Sequence, residues 1–354
     1  MNKTFIAVAL TTLFTSSAFA EMTTYQQQLA DKLDPAKAPS ENFEMSKWKI
    51  NLPIGDRTED RQGKEMEITA AHLNYVNYPY VHPEWFYTDA TTGAAVFAAP
   101  NTGPTTPNSK NTRSELRAML DVTQAYQYKE PATNFAVSSH DNAEAFGAIG
   151  GRLSAALTVD AVSTSGNDKK MGAHAVVIGQ IHGSDNEPLK IYYRKLPNHE
   201  YGSVFWNYEI NPVDKNDRFD ISHDVFGQHD LTKQDADPES GIKLNELFEY
   251  EVNIVETTMN LTFKSDVGEA EERVVKFSVD LSKPYPGEEK LDTSYGQDWM
   301  YYKAGAYNQC NQGSTECLNR GVEAGDYTQA SFYKLELAQY SPDKIRYLLI
   351  ACAE

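Results

Sequence analysis

From Trp48 onward, apolar residues recur at every second position. Trp48, Ile50 and Leu52 alternate with Lys47, Lys49 and Asn51. The same period returns at Leu153, Ala155, Leu157 and Val159, and at Phe248, Tyr250, Val252 and Ile254. It appears again at Met259, Leu261 and Phe263, at Val275, Phe277 and Val279, and at Tyr333, Leu335 and Leu337. A period of two places apolar side chains on one face of a half-buried strand. Many such short strands with polar connections predict an all-β protein, an antiparallel sandwich or barrel with few short helices. No repeat of 20–50 residues and no Ser/Gly/Pro-rich linker divides the chain. One β-sandwich domain over 44–345 is therefore expected, preceded by a short helix or extended leader over 21–43. The charged, turn-rich segments 55–70 and 213–240 read as loops.

Residues 1–20 follow another pattern. Lys3 gives a basic start, Phe5 to Phe14 form a largely apolar stretch, and Ala18-Phe19-Ala20 fits a small-x-small cleavage site. This reads as a secretory signal peptide, so the protein is expected to be secreted or periplasmic and to begin at Glu21. No Cys follows Ala20, which disfavours a lipid anchor. In an oxidising compartment Cys310 and Cys317 are expected to close a small disulfide loop, with Cys352 left over. Two buried thiols are the alternative.

Composition narrows the partners. The chain has 354 residues, 32 Lys and Arg against 50 Asp and Glu, and a net charge of −18. Nucleic acid is disfavoured, because phosphate binding needs a basic face. No apolar stretch of about 20 residues follows the first twenty positions, so a multi-span membrane protein is excluded. The 21 Tyr, 15 Phe and 4 Trp supply ample material for a core. Asp235, Asp237 and Glu239 lack the pattern of a calcium loop and read as a solvated acidic loop. No metal and no cofactor is expected, and the chain is expected to be a monomer.

Three segments break the rule that a strand's outward face is bland. In Arg113-Ser114-Glu115-Leu116-Arg117 the two arginines and Glu115 share one face, while Leu116, Ala118 and Leu120 point to a core. In His174 to His182, Gln180 and His182 share a face, with Val177, Gly179 and Ile181 opposite. In Tyr301 to Gln309, Tyr301, Lys303, Gly305, Tyr307 and Gln309 share a face, with Tyr302, Ala304, Ala306 and Asn308 behind. Gly305 in mid-strand marks close approach of a ligand or of backbone. If the three strands are neighbours, one surface of a strongly acidic protein concentrates positive charge. Same-face side chains about 6.6 Å apart suit an extended anionic polymer.

The chain has no Gly-x-Ser-x-Gly elbow, no His-Glu-x-x-His zinc motif and no strand with paired carboxylates for glycoside hydrolysis. The set Arg, Gln, His and Tyr instead fits β-elimination on a uronic acid polymer. That reaction removes the proton on C5, alpha to a carboxylate, and expels the C4 oxygen. Arg and an amide neutralise the carboxylate so that the enolate can form. His and Tyr serve as base and acid without a metal.

In order and spacing, Arg113 to Arg117, Gln180-Ile181-His182 and Tyr301 to Gln309 resemble the three signature strands of the alginate lyases of polysaccharide lyase family 7. Trp48 to Pro53 resembles that family's first strand, and the resemblance spans roughly 45–340. It implies a β-jelly roll sandwich whose concave sheet binds alginate, an anionic polysaccharide. It implies that Arg113 and Gln180 neutralise the substrate carboxylate with help from His182. Tyr307 would protonate the leaving oxygen and, for mannuronate, also abstract the C5 proton; for guluronate His182 would be the base. Arg117, Lys303 and Gln309 would bind neighbouring carboxylates or hydroxyls, and Glu115 would orient the arginines. Ile181 in the second motif hints at acceptance of guluronate or mixed blocks. A lyase for another polyuronate, or a non-catalytic lectin-like module, are the alternatives.

Overall fold

The computed structural model describes residues 22–57, 62–124 and 127–340. The signal peptide read over 1–20 and Cys352 lie outside the described residues. Two large antiparallel sheets stack face to face as a β-jelly roll sandwich, with a nine-stranded sheet on one side and a seven-stranded sheet on the other. Helices are few and short. The segment read as a leader holds Thr24–Ala30, capped by the Thr23 side chain, and Pro39–Asn42.

The seven-stranded sheet follows the sequence pattern closely. Phe248–Val255 and Thr258–Ser265 alternate buried and half-buried positions along their whole length. Their inward residues Phe248, Tyr250, Val252, Leu261 and Phe263 form one core with Trp48, Ile50, Leu116, Ile181, Tyr302 and Ala304 of the nine-stranded sheet. Buried hydroxyls bridge the two sheets. Tyr250 donates to the Ile178 carbonyl at 3.1 Å and Tyr302 to the Gly151 carbonyl at 2.7 Å, so neither phenol is buried without a partner.

Two segments read as loops carry strands. Glu65–Ile68 pairs with Trp48–Gly55 at one edge of the nine-stranded sheet, and Asp220–Phe226 forms the other edge. Met66, Ile68, Ile221 and Val225 pack on the core between charged neighbours, so the period of two was present but masked by charge. Asp235 and Asp237 serve as turn caps. Asp235 accepts from the Thr232 backbone and hydroxyl, and Asp237 from the backbone of Glu200 and Tyr201.

Candidate active site

The three polar-faced strands are neighbours. Ala175–His182 pairs with Tyr301–Asn308, which pairs with Arg113–Ala118. Leu116 and Ala118 face the core as the pattern predicts, as do Tyr302, Ala304, Ala306 and Ile181. The register sets Arg113 opposite Tyr307, Glu115 opposite Gly305, and Arg117 opposite Lys303. On the other side of the same strand, Lys303 faces Gln180 and Tyr301 faces His182. One rung therefore runs Lys49, Arg117, Lys303, Gln180, Lys190 and Asn207 across six strands.

One face assignment is corrected. Val177 does not share the inward face of Ile181. Against Leu189–Arg194 the extra residue is Ile178, whereas against Tyr301–Asn308 the two residues Gly305 and Ala306 stand against Ile178; this irregularity reverses the alternation beyond it. Ile178 and Val176 enter the core, and Val177 packs on the outer face with Tyr192, Phe205 and Tyr307. Glycine is required at 179, since a Cβ there would lie 2.7 Å from the Tyr250 hydroxyl. Gly305 has φ +138, and its Cβ would lie 2.5 Å from the Ser114 carbonyl oxygen. The close approach at Gly305 is thus to backbone.

Glu115 is the hub of the face. Its Oε2 accepts from Arg113 Nη1 at 2.9 Å and pairs with Lys303, while Oε1 accepts from the Gln180 amide. Glu115, Gln180, Lys303 and Arg113 are all buried. A buried carboxylate holding three donors fixes their positions, because each lost contact would leave a charge or amide unpaired. Burial and the neighbouring Arg113 push the Lys303 ammonium down to about 8, against the pull of Glu115.

His182 and Tyr307 lie on either side of this hub and are both partly exposed. His182 stacks on Tyr301 with ring centres 5.0 Å apart and planes 11° apart. Its Nδ1 lies 2.6 Å from the Gly183 carbonyl oxygen. A carbonyl only accepts, so Nδ1 carries the proton. Nε2 faces Glu187 Oε1 at 3.2 Å. Burial, with Lys303 and Arg113, pushes the imidazole pKa down, against Glu187, which favours the neutral ring. On Glu187, burial is outweighed by His182, when that ring is protonated, and by Lys190, which hold the carboxyl well below its usual range. Tyr307 lies with its ring centre 3.9 Å from the Arg113 guanidinium and its hydroxyl 3.0 Å from Ser109 Oγ.

Two expected site residues are engaged elsewhere. The Arg117 guanidinium donates to the carbonyls of Ala118 and Tyr128 and to Asn134 Oδ1, and lies over the Tyr301 ring at 3.9 Å. Gln309 follows the end of its strand, and its amide donates to the Tyr307 carbonyl at 3.2 Å. Other residues at the site were not singled out from the sequence. Lys49 and Asn51 stand on the polar side of the first strand, opposite Trp48, Ile50 and Leu52, so their period could have found them. Burial pushes the Lys49 ammonium down to about 7, although it pairs with Glu67 at 2.5 Å. Glu187 and Ser109 lie in loops and carry no periodic signal. Cys310 and Cys317 form a disulfide directly after the Tyr301–Asn308 strand. Among the described residues, no group of three His, Cys, Asp or Glu side chains is arranged to hold a metal ion.

Comparison with known proteins identifies the family and the fold. Residues 43–339 match the family model described as alginate lyase. An alginate lyase from Klebsiella pneumoniae is 34% identical over 309 residues, which is 84% of this chain and 90% of that protein. The crystal structure of the Klebsiella pneumoniae alginate lyase superposes with a TM-score of 0.69 at 30% identity, covering 86% of this chain and 99% of that one. The exolytic family 7 alginate lyase from Zobellia galactanivorans gives 0.67 at 31% identity, covering 86% and 98%.

Proposed function

The chain belongs to the alginate lyase family, and we propose that it is an exported enzyme that cleaves the 4-O-glycosidic bond of alginate by β-elimination. The observation that carries this reading is the single buried hub of Glu115, Arg113, Lys303 and Gln180, flanked by His182 and Tyr307.

In this reading the substrate carboxylate is neutralised by Arg113 and Gln180, with His182 assisting. Neutralisation lowers the barrier to removing the C5 proton, because negative charge moves onto that carboxylate as the enolate forms. The base takes the C5 proton, the electron pair forms the C4–C5 double bond, and the C4–O4 bond breaks. Tyr307 gives its proton to O4, so the reaction consumes no water and leaves a 4,5-unsaturated uronate end. On mannuronate Tyr307 starts as the phenolate, takes the C5 proton and passes that same proton to O4. On guluronate, with C5 inverted, neutral His182 takes it from the other side. The flanking arrangement of the two groups supports acceptance of guluronate or mixed blocks. Lys303 binds carboxylate or hydroxyl groups, while the Gln309 amide is held by the Tyr307 carbonyl. Arg117, with its donors engaged by Tyr128, Asn134 and Ala118, supports Tyr301 beneath a neighbouring sugar. Glu115 orients the cations.

Export is supported by the character of residues 1–20 and by the Cys310–Cys317 disulfide, which persists in oxidising compartments. The test is ultraviolet absorbance of the conjugated double bond, followed with chelator present on guluronate-rich alginate, mannuronate-rich alginate and polyglucuronate. Rising absorbance on alginate supports elimination. Reducing ends released without absorbance would refute it, and a faster rise on polyglucuronate would reassign the polymer.

A further inference from the structure

Tyr307 ends in a hydroxyl whose hydrogen-bond partner among the described residues is Ser109 Oγ, 3.0 Å away. Ser109 belongs to the loop leading into the Arg113–Ala118 strand, and local bonds hold it in place. Its backbone N–H donates to the Thr106 carbonyl at 2.9 Å, and its carbonyl accepts from the Thr105 hydroxyl at 2.8 Å. Its Oγ accepts from the Asn111 N–H at 3.0 Å, and the Asn111 carbonyl oxygen lies 3.2 Å away. Asn111 is held in turn by the Asn311 amide, which donates to its Oδ1 at 2.5 Å from inside the disulfide loop.

We propose that Ser109 is a positioning residue for Tyr307, a hydroxyl rotor that gives the phenol a partner before and after it transfers its proton. This rests on the reading of Tyr307 as the proton-transferring group. A serine hydroxyl has one proton and two lone pairs. The Asn111 N–H occupies one lone pair. In the free enzyme the Tyr307 phenol donates to the other, and the Ser109 proton turns to the Asn111 carbonyl. With substrate bound the phenol turns its proton from Ser109 to O4; as that proton passes over, the Ser109 hydroxyl rotates and donates to the phenolate. The proton count at Ser109 does not change, and no covalent bond is made there. Arg113 against the ring face stabilises the same phenolate through space. The rotor acts on the charge that develops during the reaction, so it should affect turnover more than binding.

The test compares Ser109→Ala, Ser109→Thr and Tyr307→Phe in the full mature chain on alginate. Ser109→Ala is expected to lower kcat about tenfold, the loss of one hydrogen bond to a developing charge. KM should stay within about twofold of the parent, and Ser109→Thr should return kcat to within about threefold. Tyr307→Phe should be inactive. Unchanged kcat in Ser109→Ala, with Tyr307→Phe inactive, would overturn the role of Ser109 and leave the reading of Tyr307 standing. Loss in Ser109→Ala that Ser109→Thr does not restore, with a lowered unfolding temperature, would reduce Ser109 to a structural residue. Normal turnover by Tyr307→Phe would overturn both.

Discussion

The Arg113 guanidinium sits 3.9 Å from the centre of the Tyr307 ring, its partner across the antiparallel pair. The same guanidinium bonds Glu115 at 2.9 Å, so one carboxylate decides where the cation lies beneath the phenol. Glu115→Gln would leave Arg113 and Lys303 facing each other in a buried site. Breaking a buried pair of this kind costs about 3–5 kcal/mol. The variant is expected to unfold at lower temperature and to lose turnover. Calorimetry with steady-state kinetics checks this, and near-native stability with native KM would show that Glu115 is not the hub.

Lys303 is expected to set a pH limit on substrate binding. Burial and Arg113 push its ammonium down to about 8. As pH rises through that value, the site loses a positive charge and alginate binds less tightly. KM is expected to climb above about pH 8, whereas Lys303→Arg, which stays charged, should move that climb to higher pH. For stability the sign is the reverse. An unfolded lysine keeps its proton to about 10.4. Between about pH 8 and 10.4 the unfolded state binds more protons, so the Lys303 contribution to stability improves as pH rises through that window. A KM profile unaffected by Lys303→Arg would remove Lys303 from the binding surface.

Much of this site was legible in the sequence. The three strands announced themselves because polar and charged residues repeated with a period of two opposite apolar ones. Their adjacency is a different matter, since Gln180 and Lys303 meet through pairing between distant segments that no local pattern encodes. The bulge at Ile178–Gly179 was also invisible, because one extra residue reverses which face Val177 takes without changing composition. The edge strands Glu65–Ile68 and Asp220–Phe226 were hidden by their charge. Glu67 and Asp220 look like loop residues until their partners Lys49 and Lys190 are in place. Ser109 and Glu187 are loop residues whose positions depend wholly on tertiary structure.

The Cys310–Cys317 disulfide closes a loop with a sequence separation of 7. A loop of that size restricts the unfolded chain by about 2–3 kcal/mol in the chain-entropy account. Reduction is expected to lower Tm by about 3–5 °C. Asn311, which holds Asn111, bonds within this loop to Gly313 and Ser314, so reduction should also lower kcat. Unfolding scans and kinetics with and without dithiothreitol, with bond cleavage verified by mass, check both. An unchanged kcat after full reduction would show that the loop does not support the site.

His182→Asn should separate the two epimers of the substrate. The C5 proton lies on opposite faces of the ring in guluronate and mannuronate, and His182 and Tyr307 approach from opposite sides of the Glu115 hub. His182 has Nδ1 committed to the Gly183 carbonyl, and burial, Lys303 and Arg113 favour its neutral form. Nε2 can therefore accept a proton, provided that Glu187 at 3.2 Å gives way to the substrate. Removing this base is expected to cost about 10²–10⁴-fold in kcat on guluronate-rich alginate. On mannuronate, where Tyr307 is proposed to make both transfers, the loss should be about tenfold or less, the share due to carboxylate neutralisation. Initial rates on the two block types measure the split. Equal losses on both would mean that one base serves both epimers and that His182 acts only on the carboxylate.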